Sequence, residues 1–177
     1  IYFPFHKALG LRTGLHKDAS AEYHALTTLM WWGRLFPVSV RRMRFSLGQL
    51  HVISPAPVQS KIRHVQDDMK DFLPSIPETQ KDHVGIRGLF LETSNKPSEW
   101  TIFWVYGGAF LSGDAAGNSG PADYIGRACG MDVFLPEFRL APEYRVDDFV
   151  WDVCLAYRWL CQRRDPSKIL FLGISSG

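Results

Sequence analysis

Gly173-Ile174-Ser175-Ser176-Gly177 has the residue types and spacing of a nucleophile elbow. A serine hydroxyl stands clear of its neighbours when the chain turns sharply from a strand into a helix. Glycine at both flanks, Gly173 and Gly177, suits such a turn, because a Cβ would collide there. The apolar run Ile169-Leu170-Phe171-Leu172 leads straight into the motif, which is the placement the chemistry needs. Upstream, Thr101-Ile102-Phe103-Trp104-Val105-Tyr106 runs into Gly107-Gly108-Ala109-Phe110. Small residues in such a loop let backbone N–H groups point into a pocket, where they can hold the oxyanion of a tetrahedral intermediate. A dinucleotide-binding loop would need G-x-G-x-x-G, and Gly107, Gly108 and Gly113 do not provide it.

Elements of suitable type surround both motifs. From His83 the pattern alternates: Val84–Leu91 reads as a strand and 101–106 as a second, apolar on both faces and so central to a sheet. A short helix follows, with Pro121 near its start and Gly130 just past its end. Met131 to Phe138 is the next strand, Asp147 or Asp148 opens a helix carrying Val150, Val153, Tyr157 and Leu160, and 169–172 is the last strand. Strand–helix–strand–helix–strand predicts an α/β fold with a mostly parallel, doubly wound sheet. The first part reads as helical. Asp18 or Ser20 caps a helix through Leu26, Leu29, Met30 and Phe36; a second places Val40, Met43, Leu47 and Leu50 on one face; a third carries Val58, Ile62, Val65, Met69 and Phe72. The chain thus divides into a helical segment, 1–82, and an α/β segment, 83–177.

The bulk composition limits the function classes. Of 177 residues 46% are hydrophobic, enough for one domain-sized core, and the net charge of +2 argues against a nucleic-acid partner. The three cysteines, Cys129, Cys154 and Cys161, show no paired spacing and read as reduced core thiols. No His/Cys/Asp cluster has metal-ligand spacing, so neither a metal nor a cofactor is expected. The chain begins with Ile1 and ends on a glycine after an apolar strand, so a longer protein is expected.

Between the two glycine motifs stands Glu137-Phe138-Arg139-Leu140-Ala141-Pro142-Glu143. With it the sequence resembles the hormone-sensitive-lipase-like branch of the α/β-hydrolases, the fold-3 esterases and lipases. That branch carries His-Gly-Gly-Gly at the oxyanion loop, Asp-Tyr-Arg-Leu-Ala-Pro-Glu after the next strand and Gly-Asp-Ser-Ala-Gly-Gly at the elbow. The three motifs stand in the family's order and span residues 84–177. The resemblance implies an α/β-hydrolase fold with Ser175 as nucleophile and 1–82 as a helical cap or lid. It implies an oxyanion hole built from Gly108, Ala109 and the N–H of Ser176, with Gly107 shaping the loop. The 139–143 stretch is structural in the family, and an Arg139–Glu143 ion pair is the expected reason. Tyr106 stands in place of the loop histidine, Ala109 in place of the last glycine, and Ile174 in place of the elbow aspartate.

A serine nucleophile needs a base oriented by a carboxylate, in the chain order Ser, acid, His. His6, His16, His24, His51, His64 and His83 all precede Ser175, so the base and its carboxylate are expected outside these residues. The implied activity is hydrolysis of a small hydrophobic acyl ester. A non-catalytic, gibberellin-receptor-like ligand-binding module and an amidase or deacetylase using the same serine are the alternatives. Trp31, Trp32 and Phe36, followed by Arg41, Arg42 and Arg44, suit either a membrane-surface contact or a cap helix over the acyl pocket, and the cap reading is preferred. Asp114 reads as a turn former rather than a substrate contact. A cytoplasmic or membrane-associated location is expected over secretion, and the oligomeric state is left open.

Overall fold

The computed structural model describes residues 39, 57–70, 73, 75–93 and 98–177. The chain divides into two compact units, Ile1–Arg42 and Met43–Gly177, and all the elements below lie in the second. The helical readings over 18–36 and 40–50, and the Trp31–Arg44 segment with its lid or membrane role, lie outside the described residues.

Five strands form one mixed sheet in the order β1-β2-β4-β3-β5. They are β1 (Lys61–Asp68), β2 (Gly85–Glu92), β3 (Thr101–Val105), β4 (Asp132–Pro136) and β5 (Ile169–Gly173). β3 pairs in parallel with both β4 and β5, whereas β1–β2 and β2–β4 are antiparallel. Helix α1 (Ala115–Cys129) links β3 to β4, and α2 (Val146–Cys161) links β4 to β5. The first crossover steps to one side of β3 and the second steps back past it. Right-handed connections therefore put the two helices on opposite faces of the sheet. One core layer joins Phe90, Phe103 and Phe134 to Leu155, Trp159 and Leu160 of α2. The other joins Leu91, Ile102, Trp104 and Val133 to Ala115 and Ala122 of α1. Burying each large apolar side chain contributes about 1.5–3 kcal/mol. β3, with Ile102, Phe103 and Trp104 all buried, is central as its two-faced apolar pattern predicted. β5 has a strand partner on one side only among the described residues, and its Phe171 is 56% exposed.

Three expectations are corrected. Residues 61–68 form strand β1 rather than part of a third helix, so the sheet begins ahead of residue 83. The run has too few apolar residues to bury a helical stripe: within it only Val65 is buried, and Ile62 stays 41% exposed. Eight residues of ladder with β2, from Lys61↔Glu92 to Asp68↔Gly85, outweigh that weak periodicity. Pro121 lies in the interior of α1, which starts at Ala115; Asp114 caps the helix by accepting from the Gly117 N–H at 2.5 Å. Gly130, at φ 66°, ends it as expected. All three cysteines are free, but Cys129 and Cys154 are exposed rather than in the core, at the end of α1 and on the outer face of α2.

Candidate active site

The C-terminal ends of β4, β3 and β5 lie side by side, and each releases one of the three sequence motifs. In doubly wound sheets the crevice beyond these strand ends, where connections diverge, is where ligands bind. After β5 the Ile174 N–H donates to the Val105 carbonyl at 3.1 Å, and the Gly177 N–H closes a turn on the Ile174 carbonyl at 2.9 Å. Ser175 sits at the apex, exposed, with φ 54°. That left-handed conformation is costly for a non-glycine residue, and it aims the side chain away from the chain on either side. Both flanking glycines are sterically required. A Cβ at Gly173 would meet the Gly177 carbonyl carbon at 2.8 Å, and one at Gly177 would overlap the Val105 carbonyl and lie 2.7 Å from the Tyr106 oxygen.

The loop after β3 packs directly against this turn. A Cβ at Gly107 would lie 2.5 Å from the Ile174 oxygen and 2.9 Å from Ser175 Cβ. Gly108 turns at φ 145°, its carbonyl accepting from the N–H groups of Leu111 and Ser112 at 3.0 and 3.1 Å. Ala109 and Phe110 follow at φ 55° and 61°, two consecutive left-handed residues with side chains. Such residues cost about 1–3 kcal/mol each and persist only where the surroundings hold them. Here the Ala141 N–H donates to the Phe110 carbonyl at 2.8 Å, and the Phe110 ring stacks on Phe149 of α2 with centroids 4.6 Å apart. The structure thus brings together Gly107, Ser175 and the elbow glycines, with Gly108 and Ala109 on the adjoining strained turn and Ser176 next to Ser175.

The loop after β4 supplies groups that sequence reasoning missed. The Tyr106 ring is buried and stacks on Phe138 at 4.3 Å, and its hydroxyl donates to Glu137 Oε2 at 2.9 Å. Burial, reinforced by the facing carboxylate, pushes the Tyr106 phenol far above its ordinary pKa, so it remains a donor. Glu137 Oε1 accepts the Ala115 N–H at 2.8 Å. The signal for this contact was present in the sequence: Tyr106 and Glu137 both depart from the resembling pattern, at the ends of two adjacent strands. Arg139 was expected to pair with Glu143, but Asp152 and Asp148 hold it instead. Its Nε and terminal nitrogen reach Asp152 at 2.8 and 2.7 Å, its backbone N–H donates to Asp152 at 2.8 Å, and Asp148 lies at 3.5 Å. Gln80 bridges the two, accepting from Arg139 at 2.7 Å and donating to Asp148 at 2.8 Å. The hydrogen bond from Gln80 is the main cause holding the Asp148 carboxyl below its usual range.

The two histidines among the described residues lie apart from Ser175 in the sheet. His64 is exposed on β1, a strand rather than a helix or turn, and His83 precedes β2 and meets the Tyr144 ring edge-on at 6.0 Å. Among the described residues no group of three or more His, Cys, Asp or Glu could hold a metal ion, and no helix is long and apolar enough to cross a membrane.

Comparison with known proteins places this architecture. Residues 102–177 match the sequence family described as alpha/beta hydrolase fold. An esterase from Pyrobaculum calidifontis superposes with a TM-score of 0.64 at 18% identity, covering 79% of this chain and 45% of that one. The carboxylesterase EstE1, from a metagenomic library, gives 0.63 at 21% identity, covering 79% of this chain and 46% of that one. An esterase from the bacterial hormone-sensitive lipase family gives 0.60 at 21%, covering 80% of this chain and 43% of that one. The chain therefore spans less than half the length of these solved structures. No curated protein sequence matches.

Proposed function

We propose, from the premise that this chain is an α/β-hydrolase of the fold-3 esterase and lipase branch, that Ser175 is the nucleophile of a carboxylic ester hydrolase. The observation that carries the reading is the elbow itself: an exposed serine at φ 54°, between two glycines that tolerate no Cβ, with the glycine loop in contact behind it. In the proposed reaction Ser175 Oγ attacks the ester carbonyl while a base takes its proton. The oxyanion is held by N–H groups of Gly108, Ala109 and Ser176, the alcohol leaves with a proton, and an acyl-enzyme remains. Water then attacks the acyl carbon, releasing the carboxylic acid and restoring the serine. The base and its orienting carboxylate come from residues beyond Gly177, in keeping with the half-length coverage of the solved esterases.

Hydrolysis of p-nitrophenyl esters of short acyl chains by the full-length protein tests the proposal. Ser175→Ala should reduce kcat by at least about 1000-fold with the fold intact. A Ser175→Ala protein that retains turnover would overturn it. A small hydrophobic acyl group is the proposed substrate class. What supports it is EstE5, a solved structure of the same fold at 20% identity, which was soaked with p-nitrophenyl butyrate, a short acyl ester.

A further inference from the structure

We infer that Glu137 is a positioning residue that fixes both ends of the oxyanion loop with the two oxygens of one carboxylate. The inference rests on the hydrolase reading of Ser175 and adds a residue to it. The loop spans 107–114; Tyr106, the first residue after β3, precedes it and Ala115 follows it as the first residue of α1. Glu137 Oε2 takes the Tyr106 hydroxyl at 2.9 Å and Oε1 takes the Ala115 N–H at 2.8 Å, so each end has its own acceptor. The carboxylate is itself fixed. Its backbone N–H donates to the Arg87 carbonyl of β2 at 2.8 Å, and the next residue, Phe138, stacks on the Tyr106 ring. The returning loop also crosses that ring closely, since a Cβ at Gly113 would lie 3.0 Å from Tyr106 Cδ2.

What lies between the two ends makes the clamp necessary. Ala109 and Phe110, side-chain-bearing residues between Gly108 and Gly113, both have positive φ, so the loop holds a strained pair with a local reason to relax. Oxyanion donors work only when held within about 0.5 Å of the position the charge will occupy. A carboxylate accepting at both ends limits how far the segment can open, and its charge strengthens both hydrogen bonds. Tyr106 and Glu137 replace the histidine and aspartate of the resembling pattern together, and theirs are the side chains that meet.

The test uses the full-length protein with Tyr106→Phe, Glu137→Ala and Glu137→Gln, read by kinetics, by thermal melting and by amide hydrogen exchange. Glu137→Ala should lower kcat about 100-fold with KM within about twofold, the pattern of misplaced transition-state donors rather than lost substrate binding. Glu137→Gln, which keeps an acceptor, should retain more activity than Glu137→Ala. Tyr106→Phe should cost about tenfold, and adding it to Glu137→Ala should cost nothing further, because its partner is already gone. Exchange in 107–114 should accelerate in Glu137→Ala while β3 and β4 stay protected. The clamp is refuted if Glu137→Ala keeps wild-type kcat, if the two losses multiply, or if exchange in the loop is unchanged. The exchange arm decides the matter without turnover, so a wild-type protein with no esterase activity would defeat the hydrolase reading alone.

Discussion

Gly107 is where the two halves of the candidate site touch, and one methyl group there would lie against both the Ile174 carbonyl and Ser175. The elbow is already strained at Ser175, so it would be displaced rather than compressed. Gly107→Ala should therefore cost about 1–3 kcal/mol in transition-state stabilisation, a roughly 10- to 100-fold loss of kcat. Ester kinetics with the full-length protein, alongside a melting curve, check this; kcat within twofold of wild type would count against the contact. At this scale the sequence was readable wherever a requirement is local. Gly173, Ser175 and Gly177 are dictated by one turn, and their spacing announces it. Ala109 and Phe110 were not readable as left-handed, because nothing in an alanine or a phenylalanine favours positive φ; contacts from Ala141 and Phe149 impose it. The partners of Arg139 were hidden for a similar reason. Gln80 lies 59 residues away in sequence, and only the packing of the loop after β4 against α2 selects Asp148 and Asp152.

Elements are tied together by a few buried charges whose loss should be measurable. Asp152 takes both the side chain and the backbone N–H of Arg139, pinning the 137–145 loop to α2, whereas the Asp148 carboxylate makes only the longer ionic contact with it and the backbone carbonyl of Asp148 accepts at 3.0 Å. Asp152→Asn should destabilise by about 3 kcal/mol and Asp148→Asn by clearly less, as read by urea denaturation. On the other face Asp123 is fully buried in α1. It accepts the N–H groups of Gln59 and Ser60 at 3.1 and 3.0 Å and the Arg127 Nε at 2.9 Å, holding the approach to β1. Burial disfavours its charge, but the hydrogen bonds from Ser60, Gln59 and Arg127 outweigh burial and leave its pKa lowered. With a depressed folded-state pKa, its stabilisation is full above the ordinary value of 3.8 and is lost as the pH falls through the lowered one. Asp123→Asn should cost about 1–3 kcal/mol at pH 7 and flatten the acid limb of the melting profile. An unchanged acid limb would show that other carboxylates carry it. The alternation of strands and helices from residue 84 onward was legible because the strands are short, continuous apolar runs set off by turn and capping residues such as Asp114 and Gly130. β1 was misread because an edge strand with one buried side chain owes its form to its neighbour β2, which local periodicity cannot report.

The described sheet has the α/β-hydrolase fold, and the part of the chain that superposes covers less than half of each solved esterase it resembles. Its order β4-β3-β5 gathers the 107–114 loop, the Arg139 loop and the 173–177 turn at the C-terminal ends of the strands, which explains how motifs 30 or more residues apart came to read as one site. Chain order also carried the expectation that the base lies outside these residues, since every histidine precedes Ser175. The 177-residue polypeptide alone should accordingly show no Ser175-dependent hydrolysis of short acyl esters, as a steady-state assay with a Ser175→Ala control would establish. Such turnover would mean that one of these six histidines serves as the base. The central claim, that Ser175 is an activated nucleophile, is tested most directly by fluorophosphonate labelling of the full-length protein with mass-spectrometric mapping. A single adduct on Ser175 that disappears in Ser175→Ala is the expected result; an intact, folded protein in which Ser175 stays unlabelled would contradict the claim.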